Sequence, residues 1–234
     1  MKQPNLRQLL QQRHIKALIF DLDGVVTQTA KVHAQAWKKM FDQYLQQRGK
    51  QENKSYQPLD IKTDYPQYID GIPRYDGVRN FLKSRNIELP EGEPNDKPGT
   101  ETIAGLGNLK NVYFRKVLKT DGVEVYPDTI QFIKEQRQLG LHTAIISASK
   151  NCKDVLQAAG LEQLFETRID GVVAANRKLP GKPAPDVFLE AARELQMVPE
   201  ECAVFEDARA GVAAGKAGGF ALVIGVNRIG PDEE

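Results

Sequence analysis

Short apolar runs rich in branched residues recur along the chain and predict buried strands of a parallel sheet. They cover Ile15–Phe20, Thr143–Ile146, Ala203–Phe205 and Ala221–Val226. Stretches with helical spacing of apolar residues lie between these runs, and glycines follow the ends of two of them, at Gly160 and at Gly218-Gly219. The predicted helices cover residues 154–159, 185–195 and 208–217. Alternating strands and helices predict an α/β fold, an open parallel sheet with helices on both faces.

The alternation stops between Thr29 and about Asp121. Residues 33–45 have helical apolar spacing, and residues 78–82 and 112–118 indicate further helices. No strand pattern is present in this stretch. We therefore predict a helical domain of residues 29–119, inserted directly after the first strand of a core formed by residues 1–28 and 120–234.

Composition narrows the class of protein. The 234 residues are 41% hydrophobic and 27% charged, and 32 Lys and Arg oppose 31 Asp and Glu. This balance gives no argument for binding nucleic acid or an anionic membrane. The polar N-terminal stretch lacks the apolar region of a secretory signal, and the apolar runs are too short to span a membrane. Two cysteines give neither a disulfide framework nor a zinc motif, so we expect a reduced, cytoplasmic protein, monomeric by default.

Polar residues gather where the predicted strands end, which is where ligands bind to an open parallel sheet. Asp21 and Asp23 follow the first strand, and Ser147 follows the second. The pair Glu206-Asp207 follows the third, and Lys182 precedes a predicted helix. One aspartate after a strand is commonplace, but four such positions converging on one edge of the sheet indicate a catalytic site.

These residue types suit phosphoryl transfer. Carboxylates of Asp21, Asp207 and Glu206, with a backbone carbonyl near Asp23, are ligands that Mg²⁺ prefers. A carboxylate can accept a phosphoryl group, so Asp21 is the candidate nucleophile, and Asp23 is the candidate general acid and base. Lys182 would balance the negative charge, and Ser147 with the amide of Ala148 would hold phosphoryl oxygens.

The segments FDLDGVVTQT, ISASKN, GKPAPD and FEDARAG resemble the four motifs of the haloacid dehalogenase superfamily, in its phosphotransferase branch. Within it, the chain is most similar to the β-phosphoglucomutase-like family. The resemblance implies a Rossmann-like core with an inserted α-helical cap. It assigns phosphorylation to Asp21, acid–base catalysis to Asp23, and phosphate orientation to Ser147 and Lys182. It also places Glu206 and Asp207 at magnesium.

The predicted cap carries further resemblances. TAKVHAQAW, GIPRYDG and NLKN resemble segments of the family's cap, and SASKN resembles a substrate-binding loop of its core. By this resemblance His33 is catalytic, and Arg74 grips the distal phosphate of a sugar. The other residues given substrate-binding roles are Trp37, Gly71, Ile72, Lys110, Ala148, Ser149, Lys150 and Asn151.

The resemblance implies isomerisation of β-D-glucose 1-phosphate to glucose 6-phosphate through glucose 1,6-bisphosphate, which also serves as activator. A sugar-phosphate phosphatase of the same fold is the main alternative. A dehalogenase would lack the second aspartate, so Asp23 argues against it. A non-catalytic regulatory domain would not need the complete set of motif residues.

Simpler interpretations remain for single residues. Asp21 and Asp23 also fit a turn, and Glu206-Asp207 also fits the start of a helix. His33 and Trp37 are also compatible with structural roles, as are Arg74 and Lys110, which lie among many solvated charges.

Three features depart from the family pattern. Gln28 replaces a common Asp, residues 89–107 form an extra loop, and the chain after Val226 is short. We expect the first to change the contacts between core and cap. The second would reshape the sugar pocket, and the third would affect the edge of the sheet or a dimer contact.

Overall fold

The computed structural model describes residues 6–228, and it divides into two compact units. The first unit joins the chain up to Gln28 with the chain from Glu124 onward, and the second unit is Thr29–Val123. We call them the core unit and the cap unit. The predicted boundary after residue 119 falls inside a helix that continues to Asp121, so the structural boundary lies a few residues later.

The core unit is built on a five-stranded parallel sheet with strand order β3-β2-β1-β4-β5. The strand that carries Asp21 is central, with a hydrogen-bonded neighbour on each side. Four strands correspond to the predicted apolar runs. The strands are β1 (Ala17–Asp21), β2 (His142–Ile146), β3 (Thr167–Ile169), β4 (Cys202–Glu206) and β5 (Leu222–Gly225).

Helices cover both faces of this sheet. On one face, Phe188 of the helix after Lys182 packs against alternate strand residues that include Ile19 and Val204. On the other face, Phe205 stacks on Phe20 at 4.5 Å between ring centroids. The core helices are α1 (Leu6–Gln12), α6 (Pro127–Gln138), α7 (Cys152–Ala159), α8 (Gly171–Arg177), α9 (Asp186–Glu194) and α10 (Arg209–Ala217). This two-sided burial explains why the strands are apolar along their length.

The cap unit is helical, as the loss of strand patterning predicted, and no strand occurs in residues 29–123. Its interior is aromatic. Phe41 lies between Trp37 and Phe81, with ring centroids 5.3 and 4.1 Å away. The cap helices are α2 (Thr29–Glu52), α3 (Asp64–Tyr68), α4 (Arg74–Ser84) and α5 (Ile103–Asp121). None of the helices between residues 6 and 228 has the length and hydropathy needed to cross a bilayer.

The extra loop in the cap is shorter than the sequence predicts. Residues 103–107 belong to α5, because the Thr102 side chain caps this helix by accepting a hydrogen bond from the Gly105 amide at 2.9 Å. The remaining segment is fastened to its surroundings. Arg79 of α4 binds both carboxylate oxygens of Glu91, and Asn108 of α5 donates to the carbonyls of residues 94 and 96.

Gln28 is the residue at which the chain leaves the core unit, and it bonds to the segment at which the chain returns. Its amide N–H donates to the Glu124 carbonyl at 2.9 Å, and its side chain donates to the Val125 carbonyl at 3.4 Å. The Gln28 side chain therefore bonds to the segment at which the chain re-enters the core unit. The expectation of a short C-terminus concerns residues 227–234, of which 229–234 lie outside the described part of the chain.

Candidate active site

Three polar residues meet at the carboxyl edge of the sheet because their strands are neighbours. Asp21 is the last residue of β1, and Glu206 is the last residue of β4. Ser147 directly follows β2, and its amide is held by the Ile169 carbonyl at 3.1 Å. The sequence-based expectation that these residues converge is met by the register of the strands.

Lys182 joins two buried carboxylates. Its Nζ lies 2.5 Å from Asp21 Oδ1 and also binds Glu206 Oε1, and the three residues are at most 6% exposed. Burial alone would lower the pKa of the lysine, but the two carboxylates outweigh it and raise that pKa. The lysine is therefore charged and fixes the orientation of the Asp21 carboxylate.

Burial acts on the pKa of the Asp21 carboxyl in the opposite direction to its effect on the lysine. Burial raises its pKa most, Lys182 lowers it, and the carboxylates of Glu206, Asp207 and Asp23 raise it further. The net direction is well above the ordinary value for an aspartate. This cluster has more negative charge than one ammonium group balances, so a second cation would keep Asp21 ionised.

The donor set at this point fits a magnesium ion. Carboxylate oxygens of Asp21, Glu206 and Asp207 lie within 4.8 Å of one another, and oxygen ligands are those Mg²⁺ prefers. Glu206 already accepts from Lys182 and from the Ala208 amide, the latter at 2.8 Å. Asp21 likewise accepts from Lys182 and from the Asp23 amide, so these hydrogen bonds do not separate the two residues, and all three carboxylates are candidate ligands. The Asp23 side chain is outside this group of three.

Two glycines make room for these carboxylates. A methyl group at Gly24 would overlap Oδ2 of Asp207, and one at Gly211 would overlap the carboxylate of Glu206. Gly24 also has a φ of +87°, a conformation that side chains disfavour. Both are glycines of the sequence motifs, and their role in admitting a carboxylate was not predicted. The signal for Gly24 was its place one residue after the second aspartate.

Asp23 is turned towards Ser147. The Ser147 hydroxyl donates to Asp23 Oδ2 at 3.2 Å, and the Asp23 amide donates to Asp21 Oδ2 at 3.0 Å. The two aspartates are thus adjacent while their carboxylates have different partners. The ion pairs of Lys182 are therefore with Asp21 and Glu206 and do not include Asp23.

The loop after β2 is shaped by its own serines. The Ser149 amide donates to the Ser147 hydroxyl at 3.0 Å, and the Asn151 amide donates to the Ser149 hydroxyl at 3.1 Å. Ala148 is partly buried, Lys150 is exposed, and Asn151 is 4% exposed. Little of the Asn151 side chain therefore faces solvent, whereas Lys150 is accessible.

Gly171 supports this loop from behind, and sequence reasoning missed it. Its amide donates to the Ser149 carbonyl at 3.2 Å, and a methyl group there would lie 2.6 Å from the Ala148 carbonyl oxygen. Gly171 begins α8, a helix of seven residues that was not predicted.

A second group of predicted site residues lies within the cap unit. Lys110 Nζ is 2.5 Å from His33 Nδ1, and it lies 5.1 Å from the ring centroids of both Trp37 and Phe114. Burial lowers the pKa of His33 most, and the charges of Lys110 and Arg74 lower it further. The histidine is therefore neutral and accepts a hydrogen bond from the ammonium at Nδ1. Its proton is on Nε2.

Arg74 belongs to the same charged group, because the charge of its guanidinium helps to lower the pKa of His33. It is the first residue of α4 and follows the turn containing Gly71, with φ +69°, and Ile72. One nitrogen donates to Asn111 Oδ1 at 3.1 Å. Burial lowers the pKa of Arg74, and the charge of Arg115 contributes. Asn111 and Phe114, neither of them predicted, are the neutral partners of this cationic group.

Known proteins resemble this chain over most of its length. A family model described as haloacid dehalogenase-like hydrolase matches residues 15–219. A protein of Mycobacterium bovis named beta-phosphoglucomutase is 47% identical over 216 residues, which cover 92% of this chain and 82% of that protein. An uncharacterised glycosyl hydrolase of Mycobacterium tuberculosis is 36% identical over 96% of this chain but only 16% of its own length.

Among solved structures, the beta-phosphoglucomutase of Clostridium difficile superposes with a TM-score of 0.72 at 26% identity, covering 91% of this chain and 85% of that one. Its likeness extends over both units of the chain. The chain is therefore an enzyme of the haloacid dehalogenase-like hydrolase family, within its β-phosphoglucomutase-like branch of phosphatases and mutases.

Proposed function

We propose that this enzyme is a magnesium-dependent mutase that converts β-D-glucose 1-phosphate to glucose 6-phosphate through glucose 1,6-bisphosphate. The observation that carries the proposal is the cationic group of the cap unit, formed by Arg74, Lys110 and neutral His33. A phosphatase needs to hold one phosphoryl group, whereas a mutase must also hold a second phosphate at the other end of the sugar. The 47% identity to a beta-phosphoglucomutase supports the same reaction.

In the proposed reaction, phosphorylated Asp21 gives its phosphoryl group to the 6-hydroxyl of glucose 1-phosphate. Asp23 takes the proton of that hydroxyl, so a P–O bond to the sugar forms as the bond to Asp21 breaks. The bisphosphate then turns, and Asp21 attacks the phosphorus at C1. Asp23 returns the proton to the leaving oxygen, which restores phosphorylated Asp21 and yields glucose 6-phosphate.

Other residues of the core unit would orient the phosphoryl group. Lys182 and Ser147 supply a cation and a hydroxyl to its oxygens, and the amide of Ala148 supplies a third donor. Asp21 and Asp207, with Glu206 beside them, would hold Mg²⁺, which when bound neutralises charge on the phosphoryl oxygens. Ser149, Lys150 and Asn151 would contact the sugar phosphate.

In the cap unit, Arg74 and Lys110 would bind the distal phosphate. Gly71, Ile72 and Trp37 would line the sugar site. His33 would hold Lys110 in place through Nδ1 and offer its Nε2 proton to the substrate. A phosphatase of the same fold is the second candidate, favoured by the hydrolase family to which the chain belongs.

The two candidates differ in their products. The purified protein is incubated with Mg²⁺, β-glucose 1-phosphate and a trace of the 1,6-bisphosphate, and glucose 6-phosphate and free phosphate are followed together. Glucose 6-phosphate without stoichiometric free phosphate supports the mutase. Free phosphate as the main product identifies a phosphatase and contradicts the role assigned to the cap residues.

A further inference from the structure

The last described residue, Arg228, contacts two separate segments of the core unit. Its Nη2 donates to the Val25 carbonyl at 3.2 Å and to the Thr129 hydroxyl, and its Nη1 pairs with Asp128 Oδ2 at 2.8 Å. Its guanidinium carbon lies 3.9 Å from the centroid of the Tyr126 ring. A planar group with several donors can make all these contacts at once, which a lysine ammonium cannot.

Val25 belongs to the tight loop that carries Asp23. This loop is closed by the Leu22 carbonyl, which accepts from the amides of Val26 and Thr27 at 3.0 and 2.9 Å. The Gly24 amide in turn donates to the Thr27 carbonyl at 2.8 Å. The Val25 carbonyl is bound from outside this loop by Arg228, so the arginine adds an external hydrogen bond to the internal ones.

The other partners of Arg228 lie where the chain re-enters the core unit. Tyr126 precedes α6, and its amide donates to the Val26 carbonyl at 3.0 Å. Asp128 and Thr129 are in the first turn of that helix. Arg228 therefore bonds to the Asp23 loop and to the start of α6, two segments that are already joined by a backbone hydrogen bond.

We propose that Arg228 is a positioning residue for Asp23, acting through the Val25 carbonyl. This inference rests on the proposed function, in which Asp23 protonates the sugar oxygen that leaves the phosphorus. Loss of Arg228 removes an external hydrogen bond from the loop that carries Asp23 and loosens that loop, while Asp21 stays in place on its central strand. A displacement of the acid by a fraction of an ångström slows steps that need its proton.

Leaving-group chemistry separates this role from general support of the fold. Transfer from a sugar phosphate to Asp21 breaks a P–O bond to a basic alkoxide oxygen, which needs the proton of Asp23. Transfer from p-nitrophenyl phosphate releases a weakly basic phenolate that leaves without one. A positioning defect in Asp23 therefore slows the sugar phosphate more than the aryl phosphate.

The test compares kcat/KM for β-glucose 1-phosphate, with the 1,6-bisphosphate present, and for p-nitrophenyl phosphate. The variants are Arg228→Ala and Arg228→Lys, with Asp23→Asn as reference. Arg193→Ala is the matched control, because Arg193 is an exposed arginine paired with Glu190 on α9. We expect Arg228→Ala to lose about tenfold or more with the sugar phosphate and less than about twofold with the aryl phosphate.

Arg228→Lys, which keeps the charge but not the planar guanidinium, should fall between Arg228→Ala and wild type, and it serves as the test variant if the alanine variant does not fold. Asp23→Asn should show the same selectivity more strongly, and Arg193→Ala should show none. Equal losses on both substrates, or no loss, in the Arg228 variants overturn the positioning role. If Asp23→Asn itself lacks selectivity, or if the wild type does not turn over the sugar phosphate, the proposed function fails and the inference falls with it.

Discussion

Lys182 Nζ and Asp21 Oδ1 are 2.5 Å apart, and both residues are almost completely buried. Glu206 binds the same ammonium group, so the lysine is shared between the proposed nucleophile and a second carboxylate. Neither acid can move away without leaving the other with the full charge of Lys182. The pair therefore holds one oxygen of Asp21 and leaves Oδ2 directed to the Asp23 amide.

Replacing Asp21 by Asn should remove phosphoryl transfer while preserving the fold. The amide keeps the shape of the side chain but cannot form an acyl phosphate, so we expect turnover to fall by at least about a thousandfold. Product formation and circular dichroism measure the two properties. Asp186→Asn, at the start of α9, is the control and should retain full turnover. Survival of normal turnover in Asp21→Asn would exclude Asp21 as nucleophile.

Gly24→Ala should impair catalysis by displacing Asp207. The new methyl group would overlap the Asp207 carboxylate, and φ at this position is +87°. Gly140 has the same φ of +87°, but a methyl group added there would have no other atom within 4 Å, so Gly140→Ala isolates the backbone strain. We expect both variants to lose about 1–2 kcal/mol of stability, and only Gly24→Ala to lose more than about tenfold in kcat.

Thermal unfolding and steady-state kinetics check this pair. Similar kinetic losses in both variants would mean that backbone strain, and not the approach of Asp207, explains why position 24 is glycine.

Arg74→Ala should weaken binding of a sugar phosphate. A charged hydrogen bond to phosphate contributes about 1.5–3 kcal/mol, so KM for β-glucose 1-phosphate should rise about tenfold or more. Arg79→Ala is the matched control on the same helix, because Arg79 is engaged by Asp76 and Glu91. A rise in KM of the same size in both variants would contradict a specific role for Arg74.

The stability of the protein should fall as pH drops through the ordinary range of histidine, because of His33. Its pKa is lowered in the folded state, so the unfolded chain binds a proton that the native cap excludes. Stability is complete above the unfolded pKa and is lost below it, by up to about 1.4 kcal/mol per pH unit.

Urea unfolding at pH 7.5 and pH 5 measures this effect. His33→Gln should have a smaller difference between the two pH values than the wild type. His14→Asn, which changes an exposed histidine with φ +52°, should keep the wild-type difference. An unchanged difference in His33→Gln would show that the histidine is not a buried neutral base.

The sequence predicted the sheet and the carboxyl-edge cluster because both depend on local patterns. The branched apolar runs of β1, β2 and β4 are buried on both faces, so their composition alone identifies them. Asp21, Ser147 and Glu206 follow from the ends of those runs. The three-residue strand Thr167–Ile169 lacks such a run, because two of its residues are polar and only partly buried.

What the sequence could not show depends on contacts between distant residues. Thr102 ends the loop of the cap earlier than predicted because its side chain caps α5. Gly171 matters only because the Ala148 carbonyl lies against it. Arg228 has no motif around it, and its partners are about 100 or 200 residues away in the chain. The hydrophobic pattern and the spacing of motifs carry no information about such contacts between distant residues.

The central place of β1 in the sheet has a consequence for the motions of the molecule. Each of its five residues is buried, and both of its edges are hydrogen-bonded to neighbouring strands. We expect amide protons on such a strand to exchange with solvent only when the whole sheet opens, and the amide of Gln28, where the chain leaves the core unit, to exchange through local fluctuation. The aspartate proposed to carry the phosphoryl group is thus at the end of a strand that we expect to be strongly protected against local opening.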